Sequence, residues 1–332
     1  MRIFRFFLFI LLIILIAMSF TISSFATDSK PIRLVGATFM PPEDVYNRAW
    51  AKFASLLKEY YSGPLEVELH NSGDLGTEKD FFEFMMAGES VDFGQVAPSW
   101  MASWNKKAGF MDTPFLFRSV EHWKKALESN VFKSIEEEIL NNQGVRFIGY
   151  GGGGTRNIIL NKPIETIEDL PNVLMRVMGS PIQAAVFSAT GLTVTPLDYL
   201  EVYNAISTGV IDGLENEASA LVTMKFYEVA PYVILTRHVI TVRPLCFSEK
   251  VFQSLPKELQ EAILRAGSEI AEWERETESS EDTGILQKLE NENKIKLIDF
   301  DTTEMRNRAI PVIKEFADEL GISDILDKIN NI

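Results

Sequence analysis

The sequence predicts an α/β chain folded as two lobes. Three features carry that expectation: a strand, helix, strand unit at the start, a helix-to-strand motif that occurs twice, and one long helical stretch near the end. The opening unit begins with the extended residues 31–36. After the Pro41-Pro42 turn, Val45, Ala49, Phe53, Leu56, Leu57 and Tyr60 recur at helical spacing until Gly63-Pro64 ends the stripe. Leu65-Glu66-Val67-Glu68-Leu69 then alternates as a strand does, and a crossover of this kind implies parallel strands.

The repeated motif runs Phe84-Met85-Met86-Ala87-Gly88-Glu89-Ser90-Val91-Asp92-Phe93-Gly94 and again Tyr203-Asn204-Ala205-Ile206-Ser207-Thr208-Gly209-Val210-Ile211-Asp212-Gly213. In each, a helix closes at a glycine able to turn left-handed, and a short strand with Val or Ile and then Asp follows. Asp198, with Glu201 three residues on, reads as the N-cap of the second helix. The echo favours two α/β lobes over one large sheet. Their boundary is expected at Gly151-Gly152-Gly153-Gly154, between an apolar strand at 145–150 and another at 157–160. The glycine run lacks the Lys-Ser/Thr of a phosphate loop and leads into a strand, so a crossover or a close backbone approach to a ligand explains it better. Residues 254–293 stay helical in character, about 60 Å at 1.5 Å per residue, long enough to brace two lobes. A strand at 296–298 and a helix from Glu304 to about Glu319 close the chain.

Met1-Arg2-Ile3-Phe4-Arg5, an apolar run from Phe6 to Met18 and the small-residue patch Ser23-Ser24-Phe25-Ala26 have the order of a cleavable signal peptide, residues 1–26. The run falls short of the roughly 20 apolar residues of a membrane span. Cleavage removes Arg2 and Arg5 and no acid, so the net charge of −15 becomes −17. Such a surface excludes nucleic acid as a partner but not a small anion, because a pocket's field is set by the few charges that line it. The single cysteine, Cys246, forms no internal disulfide, carries no lipid after the signal and reads as a small core residue. The expected product is exported and free in solution.

His70, His122 and His238 form no metal-ligand pair, there is no G-x-S-x-G elbow, and no cofactor or metal is expected. The arginines say more. Arg176 lies in the apolar strand Leu174-Met175-Arg176-Val177-Met178, on the face of Leu174 and Met178, so that face either reaches a cleft or hides an internal acid. A guanidinium's planar fork matches a carboxylate with two parallel hydrogen bonds. Arg156, after the glycine run, has the same two readings, ligand group or structural ion pair. Asn216 ends Asp212-Gly213-Leu214-Glu215-Asn216 at the close of a short strand, where open α/β sheets commonly bind ligands, or serves its own turn. Tyr199 offers an aromatic wall or simple packing.

Five segments in order, Asp74-Leu75-Gly76-Thr77-Glu78, Asp112-Thr113-Pro114-Phe115-Leu116-Phe117-Arg118, Glu201-Val202-Tyr203-Asn204-Ala205, Val210-Ile211-Asp212-Gly213-Leu214-Glu215-Asn216 and Lys225-Phe226-Tyr227-Glu228-Val229, resemble the periplasmic solute-binding subunits of TRAP transporters, the DctP family. The resemblance runs from about Ile32 to at least Leu264. It implies a two-lobed periplasmic-binding-protein-like α/β fold with a ligand cleft between the lobes and a long bracing helix. Lobe I is then residues 27–153 plus 242–281, and lobe II residues 154–241 plus 282–332.

By the same resemblance Arg176 pairs with a substrate carboxylate, Arg156 assists, and Asn216 and Tyr199 reach the ligand. Glu78, which closes the first segment, joins them as a candidate binding residue. Gly152 to Gly154 and Gly179 replace residues usual in the family, which implies a wider pocket. Arg243, and less so Arg237, are candidates for contacting a second acidic or hydroxylated group. The implied function is capture of a small organic acid by lobe closure and delivery to TRAP membrane subunits, by a monomer that is not an enzyme. A hydroxylated monocarboxylate such as a sugar acid leads, with a C4-dicarboxylate next. A ligand sensor presenting the bound acid to a membrane receptor is the other alternative.

Overall fold

The structure is a computed structural model that describes residues 30–332, so the signal peptide expected at residues 1–26 lies outside the described residues. The opening unit forms as expected: β1 (Ile32–Ala37) and β2 (Leu65–His70) pair in parallel, Ile32 opposite Leu65, and α1 (Val45–Tyr60) connects them. Asp44 caps α1 by accepting the Tyr46 amide at 3.0 Å, and Val45, Ala49, Phe53 and Leu57 form its buried face.

Next come α2 (Glu78–Ala87), β3 (Phe93–Gln95), α3 (Pro98–Met101), α4 (Val120–Glu128), α5 (Lys133–Gln143) and β4 (Val145–Leu160). The second half of the chain holds β5 (Leu174–Val177), α6 (Pro181–Thr190), β6 (Thr193–Pro196), α7 (Val202–Ser207), β7 (Gly213–Asn216), α8 (Ala218–Thr223) and β8 (Tyr232–Ser248). The chain ends with α9 (Glu249–Ser254), α10 (Lys257–Asn291), β9 (Lys296–Asp299), α11 (Thr303–Glu319) and α12 (Ser323–Asn330).

The repeated motif does one job twice. Asp92 receives the Val35 amide on its side chain at 2.7 Å while its own amide donates to the Val35 carbonyl at 2.8 Å. Asp212 treats Leu174 identically, at 2.8 Å for both bonds. Each aspartate therefore clamps its incoming strand to the neighbouring parallel strand, β1 or β5. Gly88 and Gly209 are left-handed, at φ +67° and +74°, as the motif requires. The start expected for the second helix is corrected: the Asp198 side chain makes no capping bond, lying instead 3.8 Å from Lys79, and a 3₁₀ turn at Tyr199–Glu201 precedes α7.

Two lobes do not mean two sheets. The strands form one hydrogen-bonded sheet in the order β2-β1-β3-β8-β4-β7-β5-β6, with β9 on β8, because antiparallel β4 and β8 run the length of both halves. The glycine run therefore lies within β4 rather than between two strands. Register shifts between Gly152 and Thr155 mark a bulge where Gly152 and Gly153 take φ of +92° and +110°. A Cβ on Gly152 would sit 2.3 Å from the Thr241 carbonyl oxygen, and one on Gly153 would sit 2.9 Å from that of Arg275. The close approach is real, but the partners are β8 and α10.

α10 crosses this bulge. Its 35 residues span about 52 Å. Leu259, Ile263 and Ile270 join the core of α1, β1 and β3, while Leu289 joins that of α7, α8 and β7, so one helix braces both halves. Cys246 is buried in β8 opposite Gly94, with burial raising its thiol pKa well above the ordinary value, as a core residue's should be. Among the described residues no helix is long and apolar enough to cross a membrane.

Candidate functional site

β5 lies between β6 and β7, and Arg176, paired in register with Thr195 and Leu214, lines a narrow gap beside it. The gap measures about 320 Å³ with its mouth included. Arg176 is 1% exposed, yet it makes a single hydrogen bond, from Nε to the Leu197 carbonyl at 2.8 Å, and its Nη2 is buried with no partner. The guanidinium carbon lies 5.5 Å from the Tyr199 ring centre and 5.9 Å from that of Trp100. Burial pulls its pKa down to about 10, although Glu215 opposes the shift. This is a desolvated cation held without a carboxylate.

Arg156 differs. It donates from Nε to Glu215 at 2.5 Å and from Nη2 to Glu215 at 2.7 and 2.8 Å, and its Nη1 bonds Glu217. Burial alone would lower its pKa, but Glu215 and Glu217 raise it. Glu215 also meets His238 Nε2 at 3.1 Å; burial works against its charge, yet Arg156 and His238 hold it at about 2. Burial pushes the His238 pKa down despite the opposing effect of Glu215. Arg156 lines the gap, but its fork is occupied by the protein's own acids.

The other candidates converge on the same place. Asn216, the last residue of β7, donates to the Tyr199 hydroxyl at 2.8 Å and accepts the Glu217 amide at 3.1 Å, so it serves both its turn and the gap wall. Tyr199 packs edge-on against Phe39 and Phe226, at 5.3 and 5.7 Å. Glu78, first residue of α2, lines the gap and accepts the Ala97 amide at 2.7 Å. Arg243 reaches it from β8, donating to the Tyr46 hydroxyl at 3.0 Å with Asp112 at 3.9 Å. Arg237 does not line the gap: it is exposed, its backbone is left-handed at φ +43°, and its amide donates to Asn157.

Phe39, Met40, Tyr46, Trp100, Met178 and Glu217 also line the gap without having been singled out in the sequence. Phe39, Met40 and Met178 stand in the loops that leave β1 and β5, and Tyr46 and Trp100 in the first turns of α1 and α3, where no periodic signal marks a site; Glu217 differs from other acids only through its contact with Arg156. The three histidines are engaged locally, His70 with Glu68 and His122 with the Ile329 carbonyl. Among the described residues no group of three or more His, Cys, Asp and Glu side chains is arranged to hold a metal.

A sheet shared by two halves, with a buried unpaired guanidinium and aromatic walls where they meet, defines a two-lobed solute-binding protein. Residues 36–320 match the bacterial extracellular solute-binding protein family 7, DctP, and the chain belongs to that family. A solute-binding protein of Sulfitobacter sp. (strain NAS-14.1) is 41% identical over 92% of each chain. The crystal structure of a TRAP periplasmic solute-binding protein from Sulfitobacter sp. NAS-14.1 with bound α-D-taluronate superposes with a TM-score of 0.88, covering 90% of this chain and 97% of that one at 41% identity. The sugar acid-binding protein of Advenella mimigardefordensis, in complex with galactonate, is 26% identical with a TM-score of 0.85, covering 92% and 99%. Members of this family bind solutes outside the cytoplasm for TRAP membrane components.

Proposed function

We propose that this protein captures a sugar acid carrying one carboxylate, of the hexuronate or hexonate type, and hands it unchanged, as a monomer, to TRAP membrane subunits. The observation that carries the reading is Arg176: a buried fork without a carboxylate, at the end of a parallel strand, in a gap flanked by Tyr199 and Trp100. A ligand carboxylate supplies the missing anion. Glu78, Asn216, Tyr46 and Arg243 face the rest of the gap with groups that hydrogen-bond hydroxyls.

A second carboxylate on the ligand would face Glu78 and Glu217, with the cations nearby already engaged by the protein's own oxygens. That disfavours C4-dicarboxylates. The bound α-D-taluronate and galactonate of the two related proteins support the same class. Closure turns about the bulge of β4, between a lobe of residues 27–153 plus 242–281 and one of residues 154–241 plus 282–332. Each lobe contributes contacts that meet only in the closed state, so ligand selects that state.

The test is a thermal-shift screen of D-taluronate, D-galacturonate, D-glucuronate and D-galactonate beside succinate, fumarate and malate, followed by calorimetry of the hits. The sugar acids should raise the melting temperature and the dicarboxylates should not; the reverse ranking overturns the reading. Light scattering that shows a dimer would remove the monomer assignment.

A further inference from the structure

α10 carries three acids on successive turns of one face, Glu274, Glu278 and Asp282, only 0%, 2% and 7% exposed. They lie where α10 passes the β4 bulge. Glu274 accepts from Gln95 at 2.7 Å and from the Gly152 amide at 2.8 Å, and Asp282 accepts from the Thr155 amide. Glu278 has no such help: neither of its carboxyl oxygens has a hydrogen-bond partner. A Cβ on Gly154 would come within 3.0 Å of its carboxyl group, so β4 seals one side.

Further acids face this stack from the start of α1 and from beyond β7, while β4 and β8 bring bases. Asp44 at the start of α1 has one oxygen buried without a partner, and Glu217 approaches from beyond β7. The opposing charges are Arg243 from β8, already bonded to Tyr46, Arg48 beside Asp44, and Arg156, which acts on Asp282. A carboxylate taken out of water among like charges, with no donor, is stable only as the neutral acid. Burial first, then Glu217, Glu274 and Asp282, push Glu278 well above the ordinary carboxylate range. Burial likewise lifts Asp44 and Asp282 to about 7 and Glu274 to about 8.

The stack spans the parting line of the cleft. Asp44 and Tyr46 stand on one side and Glu217 on the other, with the Tyr46 hydroxyl 3.4 Å from the Glu217 carboxylate. An opening along this line would part Tyr46 from Glu217 and uncover Glu278, whereas Glu274 and Asp282 keep their bonds to β3 and β4. We infer that closing the cleft takes up protons on the α10 carboxylate stack, with Glu278 the principal acceptor, so that the closed form is favoured by acid and released by base. The inference adds regulation to the reading above and depends on it only for the ligand used in one arm of the test.

The sign follows from linkage. Closed protein binds more protons than open protein between the ordinary carboxylate range and about pH 8, so closure weakens as pH rises through that window. A hexuronate is fully ionised throughout, so its own titration does not contribute. The stack titrates as a coupled unit rather than as separate sites.

Small-angle X-ray scattering of the purified, ligand-free protein from pH 5.5 to 9 tests closure without any ligand. The radius of gyration should rise with pH in the native protein and stay flat in Glu278→Gln, with Asp282→Asn giving a smaller change than native. A radius independent of pH in the native protein, or the same rise in Glu278→Gln, overturns the inference. Calorimetry of D-taluronate binding in two buffers of different ionisation heat at pH 7.5 gives the second arm. Uptake of roughly one proton is expected, falling in Glu278→Gln; zero uptake with measurable binding also overturns it. Absence of D-taluronate binding at every pH counts against the proposed ligand and leaves the scattering result to decide this inference.

Discussion

Replacing Arg176 with methionine keeps the apolar stem and removes the fork. Because Arg176 is 1% exposed, a ligand carboxylate paired with it would be fully desolvated, and losing one partner of such a pair costs about 3–5 kcal/mol. At about 1.4 kcal/mol per decade this weakens a sugar acid by roughly 10²- to 10⁴-fold. Arg176→Lys should recover only part of the loss, since a point charge does not reproduce the two parallel bonds. The same structure predicts an opposite effect on the empty protein. Arg176 has no acidic partner and its pKa is pulled down to about 10 by burial, so ligand-free Arg176→Met should melt no lower than the native protein. Isothermal titration with D-taluronate and a paired melt give both readouts. Binding within threefold of native refutes Arg176 as the anchor, and a large drop in the ligand-free melting temperature shows instead that Arg176 is a structural residue.

Arg156→Met should behave in the converse way: it strands Glu215 and Glu217 without their cation, costs about 3–5 kcal/mol and lowers the melting temperature by on the order of 10 °C before any ligand is added. An unchanged melt would place those carboxylates in a neutral form. Gly152→Ala should cost more than about 1 kcal/mol in denaturant unfolding, because its φ of +92° strains any L side chain and the new methyl meets the Thr241 carbonyl at 2.3 Å; Gly144→Ala, left-handed but in open space, should cost less. Asp92→Ala and Asp212→Ala should each lose about 1–3 kcal/mol, since each leaves a strand amide without its acceptor. Equal stability of either variant would show that its clamp is dispensable.

Local chemistry explains what the chain reveals on its own. Period-two and period-3.6 patterns, a capping aspartate and left-handed glycines act within a few residues, so β1, α1, β2, α2 and most of α10 are legible from sequence. The repeated Asp-containing motif announces two equivalent strand junctions, and Arg176 stands out because a charge in a four-residue apolar strand demands a reason. What sequence could not assign is the partner of each charge. Arg176 and Arg156 look alike in the chain, yet one bonds no carboxylate in the gap it faces and the other is gripped by Glu215 and Glu217, residues about 60 positions away. The glycine run looks like a boundary between strands, and only the packing of β8 and α10 shows it to be a bulge within one. Nothing in the spacing of Glu274, Glu278 and Asp282 sets them apart from the other acids of α10. Burial is a property of the assembled surfaces, not of spacing, and the fold alone turns those three acids inward.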